Sequence, residues 1–173
     1  MKNKICCVTG HRPFHFPWNY NNSYCGAHQE YAESMACHIY QLITKKGFDY
    51  FICGGAIGVD TDFAETVIDM RNQEFDHIKL EIAVPCQNQD LKWSNRDKSK
   101  YQKLLQAADI VTLVTEKYSR YCMQKRNKYM VDKSDCVFAY WNQNIHNGGT
   151  VKTIQYANSK NKHIELFILN NFL

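Results

Sequence analysis

The chain has 173 residues, a length that suits one domain with a full hydrophobic core. Hydrophobic residues make up 45% and aromatic residues 13%, and with a formal net charge of only +4 this composition excludes a disordered chain. The mild positive charge permits anionic partners but does not require nucleic acid. No stretch reaches the ~18 apolar residues of a membrane span, and a strand pattern begins too early for a signal peptide. We therefore expect a single cytoplasmic domain over residues 1–173 with no membrane partner.

The predicted secondary-structure elements alternate between strand and helix along the chain. Apolar, β-favouring runs predict strands at residues 4–9, 48–53, 79–84, 108–115, 135–141 and 163–169. Helical spacing of apolar residues predicts helices at residues 26–46, 60–73, 98–107, 119–133 and 146–157. The strands are apolar along their length, as expected when both faces of a sheet are covered. The fold class is therefore α/β, a Rossmann-like three-layer domain with a mostly parallel sheet of about six strands.

The cysteines give no sign of a metal site. None of the eight forms a C-x-x-C pair, so zinc-ribbon spacing is absent. We expect reduced, mostly buried thiols that act as small apolar residues, with no metal and no cofactor. Cys25 and Cys122 lie in more polar contexts and are the candidates for reactive thiols.

The segment GGAIGVD, residues 54–60, directly follows the second strand. Ligands of open α/β sheets bind beyond the carboxyl ends of the strands, where glycines let the backbone approach an anion at a helix start. The spacing matches neither a P-loop nor G-x-G-x-x-G. Asp60 would cap the helix or hold ribose hydroxyls. The alternative is a turn with a purely structural role.

Two further strand ends carry residues suited to an anion. After the fifth strand, HNGGT places Gly148 and Gly149 before a helix, where Thr150 is either the N-cap or a phosphate contact. After the first strand, Arg12 is placed to pair bidentately with phosphate, or else to pack on the loop at 13–25. His11 is a candidate acid or base, although a lone histidine is more often structural.

The predicted helix at 119–133 places Arg126 and Asn127 on the face that carries Met123 and Met130, because their spacing is i, i+3, i+4 and i+7. A buried arginine needs a partner, which would be Asp132, Asp135 or a bound anion. Around this face, residues 117–129 are basic with interleaved tyrosines, a pattern that also fits single-stranded nucleic acid, although a solvated helix face is commoner.

With these segments assembled, the chain resembles the YpsA-like branch of the SLOG superfamily, which includes DNA-processing protein A and the "lonely guy" phosphoribohydrolases. The resemblance covers nearly the whole chain and rests on CVTGHRP, GGAIGVD, QKRNKYMVDKSD and NGGTVKTIQYA in this order. It implies a Rossmann-like fold and a nucleotide or nucleotide-derived ligand. The contacts it implies are Gly10, His11, Arg12, Gly54, Gly55, Ala56, Gly58, Asp60, Arg126, Asn127, Gly148, Gly149 and Thr150.

The chain departs from the phosphoribohydrolases at their P-G-G-x-G-T-x-x-E signature. Here the segment reads N-G-G-T-V-K-T-I-Q, and no acid follows Thr150 within a turn. A catalytic carboxylate would have to be Asp60 or Glu65. We therefore expect a nucleotide-binding sensor or sequestering module, with nucleotide hydrolysis and single-stranded DNA binding as alternatives. Aromatic residues in loops expected to be exposed, such as Trp18, Tyr20 and Tyr24, suit a homo-oligomer interface.

Overall fold

A computed structural model describes residues 3–173. The parallel strands are β1 (Ile5–Gly10), β2 (Tyr50–Cys53), β3 (Lys79–Val84), β4 (Ile110–Leu113), β5 (Cys136–Trp141) and β6 (His163–Ile168). The helices are α1 (Gly26–Lys46), α2 (Val59–Gln73), α3 (Asn95–Ala107), α4 (Cys122–Lys133) and α5 (Gly149–Ser159). Short 3-10 helices lie at Pro13–His15 and Leu169–Phe172. The predicted order of strands and helices is confirmed. The predicted α3 begins three residues too late, because Ser94 caps that helix by accepting from the Asp97 amide.

The sheet has the strand order β4-β3-β2-β1-β5-β6, with parallel pairing between every two neighbours. The chain first builds outward from β1 to β4, and then crosses back to place β5 on the other side of β1. The order therefore reverses between β1 and β5. Crevices at such a reversal are where open α/β sheets bind their ligands.

Two apolar layers cover the sheet. On one face, α1, α2 and α3 bury side chains such as Met35, Phe63 and Leu104 against β1 to β3 and β5. On the other face, α4 and α5 bury Val131 and Ala157. This is the expected three-layer α/β arrangement, and the Rossmann-like class is confirmed.

Two expectations about burial are wrong. Strand β4 is not covered on both faces, since Ile110, Val111 and Leu113 are each more than 40% exposed. It is an edge strand, and its place in the sheet could not be read from its apolar composition. Trp18 and Tyr20, expected in exposed loops, instead pack against the core, and only Tyr24 is largely exposed.

The buried carboxylate of Glu81 on β3 ties α4 to the sheet. It accepts hydrogen bonds from the Tyr50 hydroxyl (2.6 Å), the Thr112 hydroxyl (2.7 Å), the Tyr129 hydroxyl (2.6 Å) and the Lys133 ammonium (2.6 Å). Burial opposes ionisation of Glu81, but these donors outweigh it and lower the pKa of the carboxyl. Because Tyr129 is held by Glu81, it does not extend the tyrosine surface predicted at 117–129.

The eight cysteines are free thiols, and six of them are buried. Cys122 is not in the polar environment predicted for it. It is 1% exposed, and its Sγ lies 3.5 Å from the Sγ of Cys86. Among the helices described in residues 3–173, none combines the length and the apolar composition of a membrane span.

Candidate functional site

A cavity of about 250 Å³ opens beside the carboxyl ends of β1 and β5, where the strand order reverses. The loop after β1, the loop after β2, one face of α4 and the start of α5 each contribute to its wall. The Asn142 amide, just after β5, donates to the His15 carbonyl (2.8 Å) and so fixes the β5 loop against the β1 loop. The cavity therefore has the location that the fold predicts for a ligand.

Ten of the thirteen candidate contacts line this cavity. They are Gly10, His11, Arg12, Ala56, Asp60, Arg126, Asn127, Gly148, Gly149 and Thr150. The other three, Gly54, Gly55 and Gly58, lie behind its wall. Glu65, the alternative carboxylate, does not reach the cavity, because it is on the outer face of α2 and pairs with Lys100 at 3.0 Å.

Arg126 of α4 is the central cation of the cavity. Its side chain is only 7% exposed, and its Nη1 lies 3.7 Å from Asp60 Oδ2, too far for a good hydrogen bond. Among the described residues, Nη1 has no hydrogen-bond partner. The predicted protein partners are wrong, since Asp132 accepts from Tyr156 and Asp135 accepts from the Ile5 amide. The nearest carboxylate is Asp60, which is distant in the sequence but adjacent in space.

Asp60 holds the glycine loop together and does not cap α2. Its Oδ2 accepts from the amides of Gly54 (3.1 Å) and Ala56 (3.3 Å), whereas the N-cap position of α2 is Gly58. Burial raises the pKa of the Asp60 carboxyl, although Arg126 and these amides act in the opposite direction. Two amides of the loop are thus directed at a carboxylate and not at the cavity.

Two glycines of this loop lie where a side chain would clash with neighbouring atoms. A Cβ at Gly54 would lie 1.3 Å from Arg126 Nη1, so only glycine leaves room for the guanidinium. Gly58 has a φ of +105° and its Cβ would lie 2.5 Å from the His11 carbonyl oxygen. The segment GGAIGVD therefore shapes the cavity from behind, while Ala56 and Asp60 face it.

A chain of hydrogen bonds links Arg126 to the start of α5. The Arg126 Nε donates to Asn127 Oδ1 (2.7 Å), and the side-chain Nδ2 of Asn127 donates to Thr153 Oγ1 (2.9 Å). The Thr153 hydroxyl then donates to the Gly149 carbonyl (2.7 Å). This chain fixes the guanidinium plane and the glycine turn in one geometry. Thr153 was missed in the sequence, although it lies one helical turn after Thr150 on the same face.

The start of α5 presents backbone amides to the cavity. Its N-cap is Gly148, with a φ of +124° and no side-chain cap, so the Thr150 hydroxyl is not the N-cap. An added Cβ at Gly148 would meet nothing within 4 Å, which leaves open space in front of the helix start. Uncapped amides and the positive end of the helix dipole favour an anion at this position.

His11 also lines the cavity and is buried, with 5% exposure. Burial, and then the nearby His15, lower the pKa of His11 to about 4, so its imidazole is neutral at pH 7. Its Nε2 is buried without a hydrogen-bond partner among the described residues. A neutral ring can donate or accept one hydrogen bond, but it is poorly suited to act as an acid near neutral pH.

The sequence profile of the YspA SLOG family matches residues 6–171, which is almost the whole chain. The chain belongs to this family. The family resemblance inferred from CVTGHRP, GGAIGVD and the two later segments is thereby confirmed. Membership of the SLOG family indicates a nucleotide-related ligand that is bound or processed.

Several relatives support the same assignment. The chain is similar to the uncharacterized SPbeta prophage-derived protein YoqJ of Bacillus subtilis, with 34% identity over 72% of this chain and 78% of that protein. It is 31% identical to a UPF0398 protein of Halalkalibacterium halodurans, over 58% of this chain and 54% of the relative. A UPF0398 protein of Bacillus cereus is 29% identical over 94% of this chain and 86% of its own length.

Proposed function

We propose that this protein binds a nucleotide or a nucleotide-derived small molecule in the cavity beside the carboxyl ends of β1 and β5, as a sensor or sequestering module. The observation that carries the proposal is Arg126, a buried guanidinium that lines the cavity and whose nearest carboxylate, Asp60, is 3.7 Å from its Nη1. A buried guanidinium without a close carboxylate is costly unless a ligand anion neutralises it.

The surroundings of Arg126 favour a phosphate as that acceptor. Arg12 lines the same cavity, so its wall carries two arginines and one carboxylate residue, Asp60. The glycine-capped start of α5 adds backbone donors of the kind that bind phosphate oxygens. With about 250 Å³, the cavity suits the phosphate and sugar of a nucleotide more than a polymer.

A binding role accounts for this arrangement better than catalysis does. No acid follows the glycine turn at 148–149 within one helical turn, so the carboxylate of the phosphoribohydrolase signature is missing. Asp60 accepts two backbone amides through Oδ2 and lies beside Arg126, which restrains its movement.

The proposal is tested by thermal shift with mono-, di-, cyclic and dinucleotides, NAD and ADP-ribose, followed by an assay of each mixture for breakdown. A ligand at 100 times its dissociation constant should add about 2.7 kcal/mol of stability. Arg126→Ala should remove that shift, whereas Lys125→Ala, an exposed cation on the same helix, should keep it. A shift that survives Arg126→Ala, or no shift with any probe, contradicts the proposal.

Nucleotide hydrolysis is the second candidate, because Asp60 is buried in the cavity wall with a raised pKa. Among the described residues that line the cavity it is the only carboxylate. In that case the thermal-shift mixtures would contain product, and Asp60→Asn would abolish its formation while ligand binding persists.

We propose separately that the protein forms a homo-oligomer, through strand β4 and not through the aromatic loop residues that the sequence indicated. The edge strand β4 exposes Ile110, Val111 and Leu113, and an unpaired apolar edge favours association. Light scattering on the wild type and on Val111→Lys tests it: the variant should be monomeric, and an unchanged mass would refute a β4 interface.

A further inference from the structure

Four residues capable of binding a metal lie near the amino-terminal ends of the strands, at the opposite end of the sheet from the cavity. Cys136 and His163 are the first residues of β5 and β6, and they are register partners. Cys6 is the register partner of Cys136 on β1, and Glu165 lies two residues beyond His163 on the same face of β6. Parallel pairing thus aligns two thiols, an imidazole and a carboxylate across three neighbouring strands.

We infer that Cys136, His163 and Glu165 form a binding site for a thiophilic divalent cation, with Zn²⁺ the best match. One ligand atom from each residue, the sulfur, a ring nitrogen and a carboxylate oxygen, lies within 4.8 Å of the other two. Tetrahedral zinc with bonds of ~2.0–2.3 Å separates its ligand atoms by roughly 3.3–3.8 Å. Small side-chain rotations therefore close the site, and the His163 Nε2 to Glu165 Oε1 distance is already 3.5 Å.

The donor set selects the metal. One thiolate with one imidazole and one carboxylate suits Zn²⁺, whereas Mg²⁺ and Ca²⁺ require oxygen ligands alone. The fourth position is taken by the thiol of Cys6, the register partner of Cys136, after a rotation that breaks its bond to the Cys7 carbonyl (3.7 Å), or else by water. The His163 side chain is 65% exposed, which gives the cation an entry path.

Lys46, at the end of α1, competes with the cation. Its ammonium is 2.5 Å from Glu165 Oε1, in the position where a cation would approach that carboxylate. Because the Lys46 side chain is 47% exposed, it can turn into solvent when a metal binds. The site therefore exchanges one ion pair for another, and removal of the Lys46 charge should tighten metal binding.

The spacing of the cysteines in the sequence did not indicate this site. Metal-binding motifs read from a sequence place two ligands within a few residues, but here the ligands come from separate strands brought together by the sheet register. The site is independent of the nucleotide cavity, since Cys136 and Trp141 occupy opposite ends of β5, roughly 16 Å apart.

The test is titration of the metal-stripped, reduced full chain with Co²⁺, followed by competition with Zn²⁺. We expect one Co²⁺ per chain with a thiolate charge-transfer band that Zn²⁺ abolishes. Cys136→Ser should remove the band, and His163→Ala should weaken binding by at least about tenfold, since even outer ligand partners contribute 10–100-fold. Lys46→Met should strengthen binding, and the exposed Cys37→Ser is the matched control that should leave it unchanged.

The outcome that overturns the site is a band that persists in both Cys136→Ser and His163→Ala, because the metal would then be held by other thiols. The absence of stoichiometric binding would overturn it as well. If Cys136→Ser does not fold, His163→Ala and Lys46→Met still decide the question, since both side chains are substantially exposed. Cys6→Ser distinguishes the fourth ligand: a halved band indicates a second thiolate, and an unchanged band indicates water.

Discussion

The substitution Gly54→Ala tests how the glycine loop serves the cavity. Gly54 has no left-handed φ, so its backbone accepts alanine without strain. The new methyl group would lie 1.3 Å from Arg126 Nη1 and 2.2 Å from its Cζ. Since non-bonded atoms approach to about 3.5 Å, the guanidinium must move by roughly 2 Å or more. The substitution thus displaces Arg126 without altering it chemically.

The expected magnitude follows from the loss of one hydrogen bond between Arg126 and an anionic ligand. Such charge-assisted bonds contribute about 1.5–3 kcal/mol, so affinity for the nucleotide should fall about 10–150-fold. Arg126→Ala should produce a loss of the same size. Because both changes remove the same interaction, Gly54→Ala should add nothing further in the Arg126→Ala background.

Isothermal titration calorimetry of the four proteins in this cycle, with the nucleotide that gives the largest thermal shift, measures these affinities. Gly26→Ala is the matched control, since a Cβ at that position meets nothing within 4 Å. Wild-type affinity in Gly54→Ala would refute the proposed role of Arg126. A double variant whose loss of affinity equals the product of the two single losses would also refute that role, because Gly54 would then act on the ligand independently of Arg126.

Three further predictions concern titration and stability. Burial raises the pKa of the Asp62 carboxyl to about 6. The free energy of unfolding should therefore fall by about 2.4 kcal/mol as the pH rises from 4 to 7, and urea unfolding of Asp62→Asn should lack that slope. Since the pKa of His11 is lowered to about 4, its ring should titrate by NMR near pH 4, and a midpoint near 6.5 would place it outside the buried site. Lys133→Met leaves the buried Glu81 carboxylate without its cation, so stability in urea should drop by about 3 kcal/mol, most of which Glu81→Gln in the same chain should restore.

The alternation of strand and helix and one side of the site could be predicted from the sequence, because both depend on local periodicity. The i, i+3, i+4, i+7 spacing in α4 placed Met123, Arg126, Asn127 and Met130 on one face, and all four line the cavity. Glycines after the strands predicted the other walls of the cavity, since the carboxyl ends of parallel strands lie at the same end of the sheet.

What depends on strand order and register could not be predicted. The carboxylate nearest to Arg126 is Asp60, which comes from another loop, and the exposure of Val111 follows from the edge position of β4. The alignment of Cys136 with His163 likewise requires the register of β5 and β6. None of these relations leaves a short-range signal in the chain.

We propose that a nucleotide binds between Arg126 and the start of α5, and NMR of the isotope-labelled protein locates the ligand. AMP, NAD and ADP-ribose would be added in turn while the backbone amides and the arginine Nε–H groups are recorded. We expect the largest shifts at Gly148, Gly149, Thr150 and the Arg126 Nε–H, with little change at Lys125. Shifts confined to the exposed surface around Tyr118 and Tyr121, or no shifts with any of the three, would contradict it.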